Sequence, residues 1–268
     1  MCSAKLFENE PTYFRKEVHY FGNKHRFVQG VNFYAKRFED CYNAGEQFAM
    51  DATPNTMHCA KQVYETYMEA GGNQAAKLKM ILILRDPASR ELSLYNHKKH
   101  DYARTQDQNK WYSNILSKED GSIMGFDKYV QDVVKPLYSK KDLRSRQKGY
   151  YLGYIEEWLR YFDRNQILIL SYDELKMDPS QYLRRVQQFI GLGGSGEIKN
   201  INTKQGSSKL RSMSCSSKKE LDTIFLEEIR NLYSFLGRHP GPSMEQHPFP
   251  KFQPADCVNE TSQALQEG

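Results

Sequence analysis

The sequence predicts an α/β protein, a three-layer parallel sheet flanked by helices, and three observations predict it. Two short runs, Met80-Ile81-Leu82-Ile83-Leu84 and Gln166-Ile167-Leu168-Ile169-Leu170, are too brief for helices and read as buried strands of a parallel sheet. Helix-start signals follow each: Asp86-Pro87 after the first, and Tyr172-Asp173-Glu174-Leu175 with Asp178-Pro179 after the second. Amphipathic stretches at helical spacing lie before and between the strands, which is the strand–helix alternation of a parallel sheet.

The elements follow in chain order. Pro11 to Phe21 carries Lys16, Glu17 and His19 among Val18, Tyr20 and Phe21, and predicts a short strand or strand end. On an edge strand such charges are ordinarily solvated. Gly30 to Phe38 has aromatic residues at helical spacing that suit a packed core. Asp51-Ala52-Thr53-Pro54 predicts a turn, and Lys61 to Ala70 a helix ended by Gly71-Gly72. Arg85 then stands at the carboxyl end of a central strand, where open α/β sheets bind ligands. A guanidinium there, with the Ser93 hydroxyl about two turns into the next helix, suits a phosphate. The plain alternative is a surface arginine and a small packing serine. The same helix continues into His97-Lys98-Lys99-His100, a solvated face or a surface for a polyanion.

Residues 105 to 121 are polar without a period and read as a loop; Phe126 to Tyr138 and Gly149 to Phe162 read as helices. Asp178-Pro179 opens a helix running to Ile190. Gly191-Leu192-Gly193-Gly194-Ser195-Gly196 fits a dinucleotide fingerprint by its letters, yet it follows a helix rather than a strand. A helix end and a loop explain it, and the Rossmann reading fails. Gly206, Ser208, Lys209 and Arg211 precede a helix from about Ser217 to Leu236, which suits either a phosphate cradle or a plain loop. Residues 1 to 238 read as one domain, and 239 to 268 as an extended or disordered tail rich in Pro and polar residues.

A formal net charge of +5 over 268 residues fits an anionic partner without requiring one. No apolar run approaches the ~20 residues of a membrane span, so the chain reads as soluble with no membrane contact of its own. The five cysteines, Cys2, Cys41, Cys59, Cys215 and Cys257, have no zinc-like or redox-like spacing, so no metal is expected; disulfide pairing stays open. Asn259-Glu260-Thr261 is a glycosylation acceptor sequence, consistent with a secretory route.

The run Arg85-Asp86-Pro87-x-x-Arg90-x-x-Ser93-x-Tyr95 resembles the 3′-phosphate-binding motif of sulfotransferases that use 3′-phosphoadenosine 5′-phosphosulfate (PAPS). Other landmarks of that family occur in order. Lys16-Glu17-x-x-Tyr20-Phe21 is similar to the segment carrying the general base of glycosaminoglycan sulfotransferases, Asp51-x-Thr53-Pro54 to the turn lining the acceptor groove, and Gly149-x-Tyr151 to a helix head near the nucleotide. The look is closest to chondroitin N-acetylgalactosamine 4-sulfate 6-O-sulfotransferase and its heparan relatives. The resemblance implies a P-loop NTPase-like sulfotransferase fold and PAPS as co-substrate. It implies Glu17 as the base, with His19 the competing base because cytosolic members of the superfamily use histidine. Arg85, Ser93, Tyr151 and the loop of Gly206, Ser208, Lys209 and Arg211 are implied to hold the nucleotide. Lys16, His19, Asp51 and Lys98 are implied to meet an acidic polysaccharide or oligosaccharide acceptor; nucleic acid is not an expected partner. The Golgi is the implied location.

Two departures stand out. Heparan 3-O-type members carry a lysine where this chain has Ala52, and the family's opening Lys-x-Gly-Thr-Thr phosphate loop has no counterpart in residues 1 to 15. The chain therefore reads as an N-terminally truncated sulfotransferase with weak or no turnover by itself. The alternative is a non-catalytic binder of acidic polysaccharide that keeps the fold. A nucleotide kinase is disfavoured because G-x-x-x-x-G-K-[ST] is absent.

Overall fold

The computed structural model describes residues 2–3, 17–43, 49–105, 113–116, 122–139, 149–192, 213–253 and 256–258. In chain order the strands are β1 (Cys2–Ser3), β2 (Ala49–Met50), β3 (Met80–Leu84), β4 (Ile167–Ser171), β5 (Met213–Ser214) and β6 (Cys257–Val258). The helices are α1 (Lys24–Phe27), α2 (Val31–Lys36), α3 (Glu39–Asn43), α4 (Ala60–Glu69), α5 (Gln74–Lys77), α6 (Pro87–Thr105), α7 (Ser113–Leu116), α8 (Phe126–Tyr129), α9 (Lys135–Ser139), α10 (Tyr151–Leu159), α11 (Tyr172–Met177), α12 (Pro179–Ile190) and α13 (Cys215–Arg238). Among the described residues the strands pair as β1 with β2, β3 with β4 and β5 with β6. The first and last pairs are parallel. The chain forms two compact units, residues 1–80 with 154–167, and residues 81–153 with 168–268.

In the first unit, Val18, Tyr20, Phe21 and Tyr34 are buried, with the Tyr20 and Tyr34 rings stacked at 4.8 Å. The returning segment is tied to this unit by side-chain bonds to backbone carbonyls. Trp158 Nε1 donates to Met57 O at 2.9 Å, and Gln166 Nε2 donates to Ala75 O and Leu78 O at 2.9 and 3.0 Å. α4 ends as its glycines predict: Gly71 and Gly72 take φ of +76° and +62°. Of the short strand or strand end expected within Pro11 to Phe21, the described part, residues 17–21, forms no strand. Residues 17–20 lack regular structure because His19 is left-handed at φ 51°, which breaks an extended run.

In the second unit the β3–β4 pair lies under helices whose starts are set by local chemistry. The Asp86 carboxylate accepts from Ser89 N at 2.7 Å and its carbonyl accepts from Arg90 N at 2.9 Å, so α6 begins where Asp86-Pro87 predicts. α12 is capped by Asp178, which accepts from Gln181 N at 2.9 Å, and ends at left-handed Gly191, φ 79°. That glycine is a helix cap, as the rejection of a dinucleotide site requires. Phe126 to Ser139 is one helical run with a π-helical stretch, Val130–Val134, in its middle. It buries Val130, Val134 and Tyr138 in a stripe against Ala88 and Leu92 of α6 and Leu221 and Phe225 of α13. Leu221, Phe225 and Leu232 are fully buried, each stabilising the packing by about 1.5–3 kcal/mol. Within the expected loop of 105 to 121, Ser113–Leu116 forms one helical turn.

The stretch beyond Arg238 carries contacts of its own. Phe249, Phe252 and Tyr233 form a ring cluster with centroids 5.6 to 6.3 Å apart. Gln253 N donates to Asp173 Oδ2 at 3.1 Å, β6 pairs with β5, and Cys257 is disulfide-bonded to Cys215. Cys41 is also in a disulfide, whereas Cys59 is free and buried.

Candidate active site

Arg85 is the first residue past β3 and Tyr172 the first past β4. The Arg85 guanidinium carbon sits 5.1 Å from the centre of the Tyr172 ring, so both strands end at the same edge, as a parallel pair requires. Lys176 Nζ lies 4.8 Å from that ring as well. Arg85 is half-buried, and its Nε is buried with no acceptor among the described residues. A guanidinium donor in that state is costly unless an acceptor from outside the protein completes it. Behind it, the buried Tyr151 hydroxyl donates to Arg85 O at 2.7 Å. Burial pushes the Tyr151 phenol well above its ordinary range, and so keeps it a donor.

Asp86 is 7 % exposed. Burial pushes its carboxyl up, against the pull of the Ser89 backbone and side-chain hydrogen bonds; Asp222 adds to the rise and Lys218 opposes it. Ser93 is half-buried on α6, and Lys98 is half-buried further along the same helix. Gly149 of the Gly-x-Tyr pair has a steric reason to be glycine. A Cβ there would lie 2.6 Å from a Phe225 ring carbon and 3.0 Å from the Tyr138 hydroxyl. Tyr172 was read from sequence only as part of a helix start; its place directly after a buried strand, like that of Arg85, is the signal that marks it.

The first unit holds the other group. Glu17 Oε2 lies 3.3 Å from His19 Nε2, so the two competing bases stand side by side. Asp51 is next to them: its Oδ1 accepts from Val18 N at 3.3 Å, Thr53 N at 3.0 Å and Thr53 Oγ1 at 2.6 Å. Its Oδ2 accepts from the Tyr34 hydroxyl at 3.4 Å. The Thr53 hydroxyl in turn accepts from His19 N at 2.9 Å. Burial first, then Tyr67 and Asp51, raise the Tyr34 phenol well above its usual value.

The sequence-derived residues thus fall into two sets: Glu17, His19 and Asp51 in the first unit, and Arg85, Ser93, Lys98 and Tyr151 in the second. Lys16, Gly206, Ser208, Lys209 and Arg211 lie outside the described residues.

Comparison with known proteins bears on the same stretch. The family described as the Sulfotransferase domain matches residues 6–234. The chain is 27% identical over 195 residues to the bifunctional heparan sulfate N-deacetylase/N-sulfotransferase 4 of Mus musculus, covering 71% of this chain and 19% of that protein. It is 24% identical over 179 residues to heparan sulfate glucosamine 3-O-sulfotransferase 5 of Mus musculus, covering 66% of this chain and 45% of that protein. Among solved structures, a sulfotransferase from Alicyclobacillus acidocaldarius aligns over 83% of both chains at 20% identity with a TM-score of 0.48. The chain spans about a fifth of the length of the bifunctional relatives. With most of its length matched by one family, this chain belongs to the sulfotransferases.

Proposed function

We propose that the chain transfers a sulfuryl group from PAPS to a hydroxyl of a carbohydrate acceptor of the glycosaminoglycan class. The observation that carries this is the Arg85 side chain: a cation at a strand end, laid over Tyr172, with a buried Nε–H that has no acceptor among the described residues. An anionic oxygen of a nucleotide phosphate supplies that acceptor. The half-buried Ser93 hydroxyl on α6 adds a further donor, and Tyr151 fixes the backbone of Arg85. That two relatives are heparan sulfate sulfotransferases supports a glycosaminoglycan acceptor.

In the proposed reaction the acceptor oxygen bonds to sulfur as the bond from sulfur to the nucleotide's phosphate oxygen breaks. Glu17 takes the acceptor's proton, and 3′-phosphoadenosine 5′-phosphate leaves. His19, 3.3 Å from Glu17, orients the carboxylate. The Cys215–Cys257 bond and the bonded state of Cys41 support an oxidising, Golgi-type lumen as the place of action. Among the described residues no helix is long and apolar enough to cross a membrane.

Calorimetry with 3′-phosphoadenosine 5′-phosphate tests the nucleotide half: saturable binding is expected in the wild type and its loss in Arg85→Ala. Transfer of labelled sulfate from PAPS to desulfated heparin tests the other half. Glu17→Gln is expected to bind nucleotide normally and transfer nothing. Heparin binding without nucleotide binding overturns the proposal in favour of a non-catalytic polysaccharide binder.

A further inference from the structure

We infer that Asp51 and Thr53 are positioning residues for Glu17, acting on the backbone that carries it rather than on the sugar; this rests on the reading of Glu17 as the base. Both peptide groups that follow Glu17 are claimed. The Val18 amide donates to Asp51, the His19 amide donates to Thr53, and the Val18 carbonyl accepts from Arg26 Nη1 at 2.5 Å. Val18 itself is fully buried, so the residue after the base is anchored at its side chain, its amide and its carbonyl.

Two further observations point the same way. Thr53 precedes Pro54 at the head of the short helical turn Pro54–His58, where a threonine hydroxyl ordinarily caps the turn, yet it makes no capping bond. Its hydroxyl is diverted to Asp51 and His19 instead. His19 is left-handed at φ 51°, uncommon for a residue with a Cβ although histidine adopts it more readily than most. The Thr53 bond to the His19 amide helps hold that conformation.

Asp51 has little left for a ligand. One carboxylate oxygen takes three donors and the other takes Tyr34, against roughly four acceptor sites on the whole group. Thr53 is 5 % exposed and equally unavailable. The pair therefore forms a rigid bracket, and Ala52 between them needs no polar side chain for that task.

Amide hydrogen exchange by NMR in the full chain tests the bracket with or without turnover. Thr53→Val is isosteric and removes only the hydroxyl; His19 amide exchange is expected to accelerate about fivefold or more, with α13 amides unchanged. Thr53→Ser is expected to restore wild-type exchange, and Asp51→Asn to accelerate exchange at Val18. In transfer from PAPS to desulfated heparin, Thr53→Val is expected to lower kcat while leaving the KM for PAPS unchanged, with Thr53→Ser recovering. Unchanged exchange at His19 in Thr53→Val overturns the bracket. Faster exchange with an undiminished kcat overturns its role in positioning. Full turnover in Glu17→Gln overturns the base assignment itself, a separate failure that leaves the exchange result standing.

Discussion

The hydroxyl of Tyr151 donates to the backbone carbonyl of Arg85 across 66 residues of sequence, at 2.7 Å. The bond fixes the peptide on which Arg85, the arginine proposed to bind phosphate, stands, while its guanidinium faces Tyr172. Tyr151→Phe strips that carbonyl of a buried donor. The expected cost is about 1–2 kcal/mol of stability, and nucleotide affinity should fall by about fivefold or more. Urea denaturation and calorimetry with 3′-phosphoadenosine 5′-phosphate read the two effects separately.

Gly149 owes its identity to space. Gly149→Ala drives a methyl group into the Phe225 ring, and overpacking of this kind costs about 1–3 kcal/mol. Adding Phe225→Leu should recover part of the loss, because the clash is with a ring carbon at 2.6 Å. A double-mutant cycle on thermal stability checks it: strictly additive losses would exclude direct contact as the cause.

Asp86 sets a pH dependence of defined sign. Burial raises its folded-state pKa above the unfolded 3.8, so the neutral acid favours the fold. That contribution is whole below the unfolded value and fades as pH rises through the folded one. Asn caps a helix about as well as Asp and cannot ionise. Asp86→Asn should therefore gain on the wild type between pH 4 and pH 7, measured as the difference in urea midpoints. A gap that narrows with pH would contradict the sign.

Cys257→Ser opens the bond to Cys215, which spans 42 residues, and should cost about 2–4 kcal/mol. Guanidinium unfolding with and without dithiothreitol is the measurement. The variant should lose its sensitivity to the reductant across this transition, apart from the part due to Cys41.

Much of the second unit was legible because its signals are local. Asp86-Pro87 and Asp178-Pro179 mark helix starts within four residues, and Gly191 ends α12 where a left-handed cap is needed. β3 and β4 were legible to within a residue because Ile and Leu runs so short have few other fates, whereas β5 and β6 were not read. His19 was misread because Val18, Tyr20 and Phe21 have high strand propensity. What decides its conformation comes from Asp51 and Thr53, more than thirty residues away. The π-helical stretch at Val130–Val134 was hidden for a related reason: the apolar period identifies the buried stripe but not the width of the turn beneath it. The contacts of Phe249, Phe252 and Cys257 depend on Tyr233, Asp173 and Cys215, and nothing near them in sequence announces those partners.

The Cys215–Cys257 link encloses the whole of α13 in a covalent ring. Because its second sulfur belongs to residue 257, the ring cannot close on a ribosome-bound chain until nearly all of the second unit has emerged. Until then α13 is held against α6 and Phe126–Ser139 by non-covalent contacts, the apolar stripe together with the Ser217–Asp127 hydrogen bond and the Lys135–Glu220 ion pair. The bond is therefore the last covalent constraint this part of the chain can acquire.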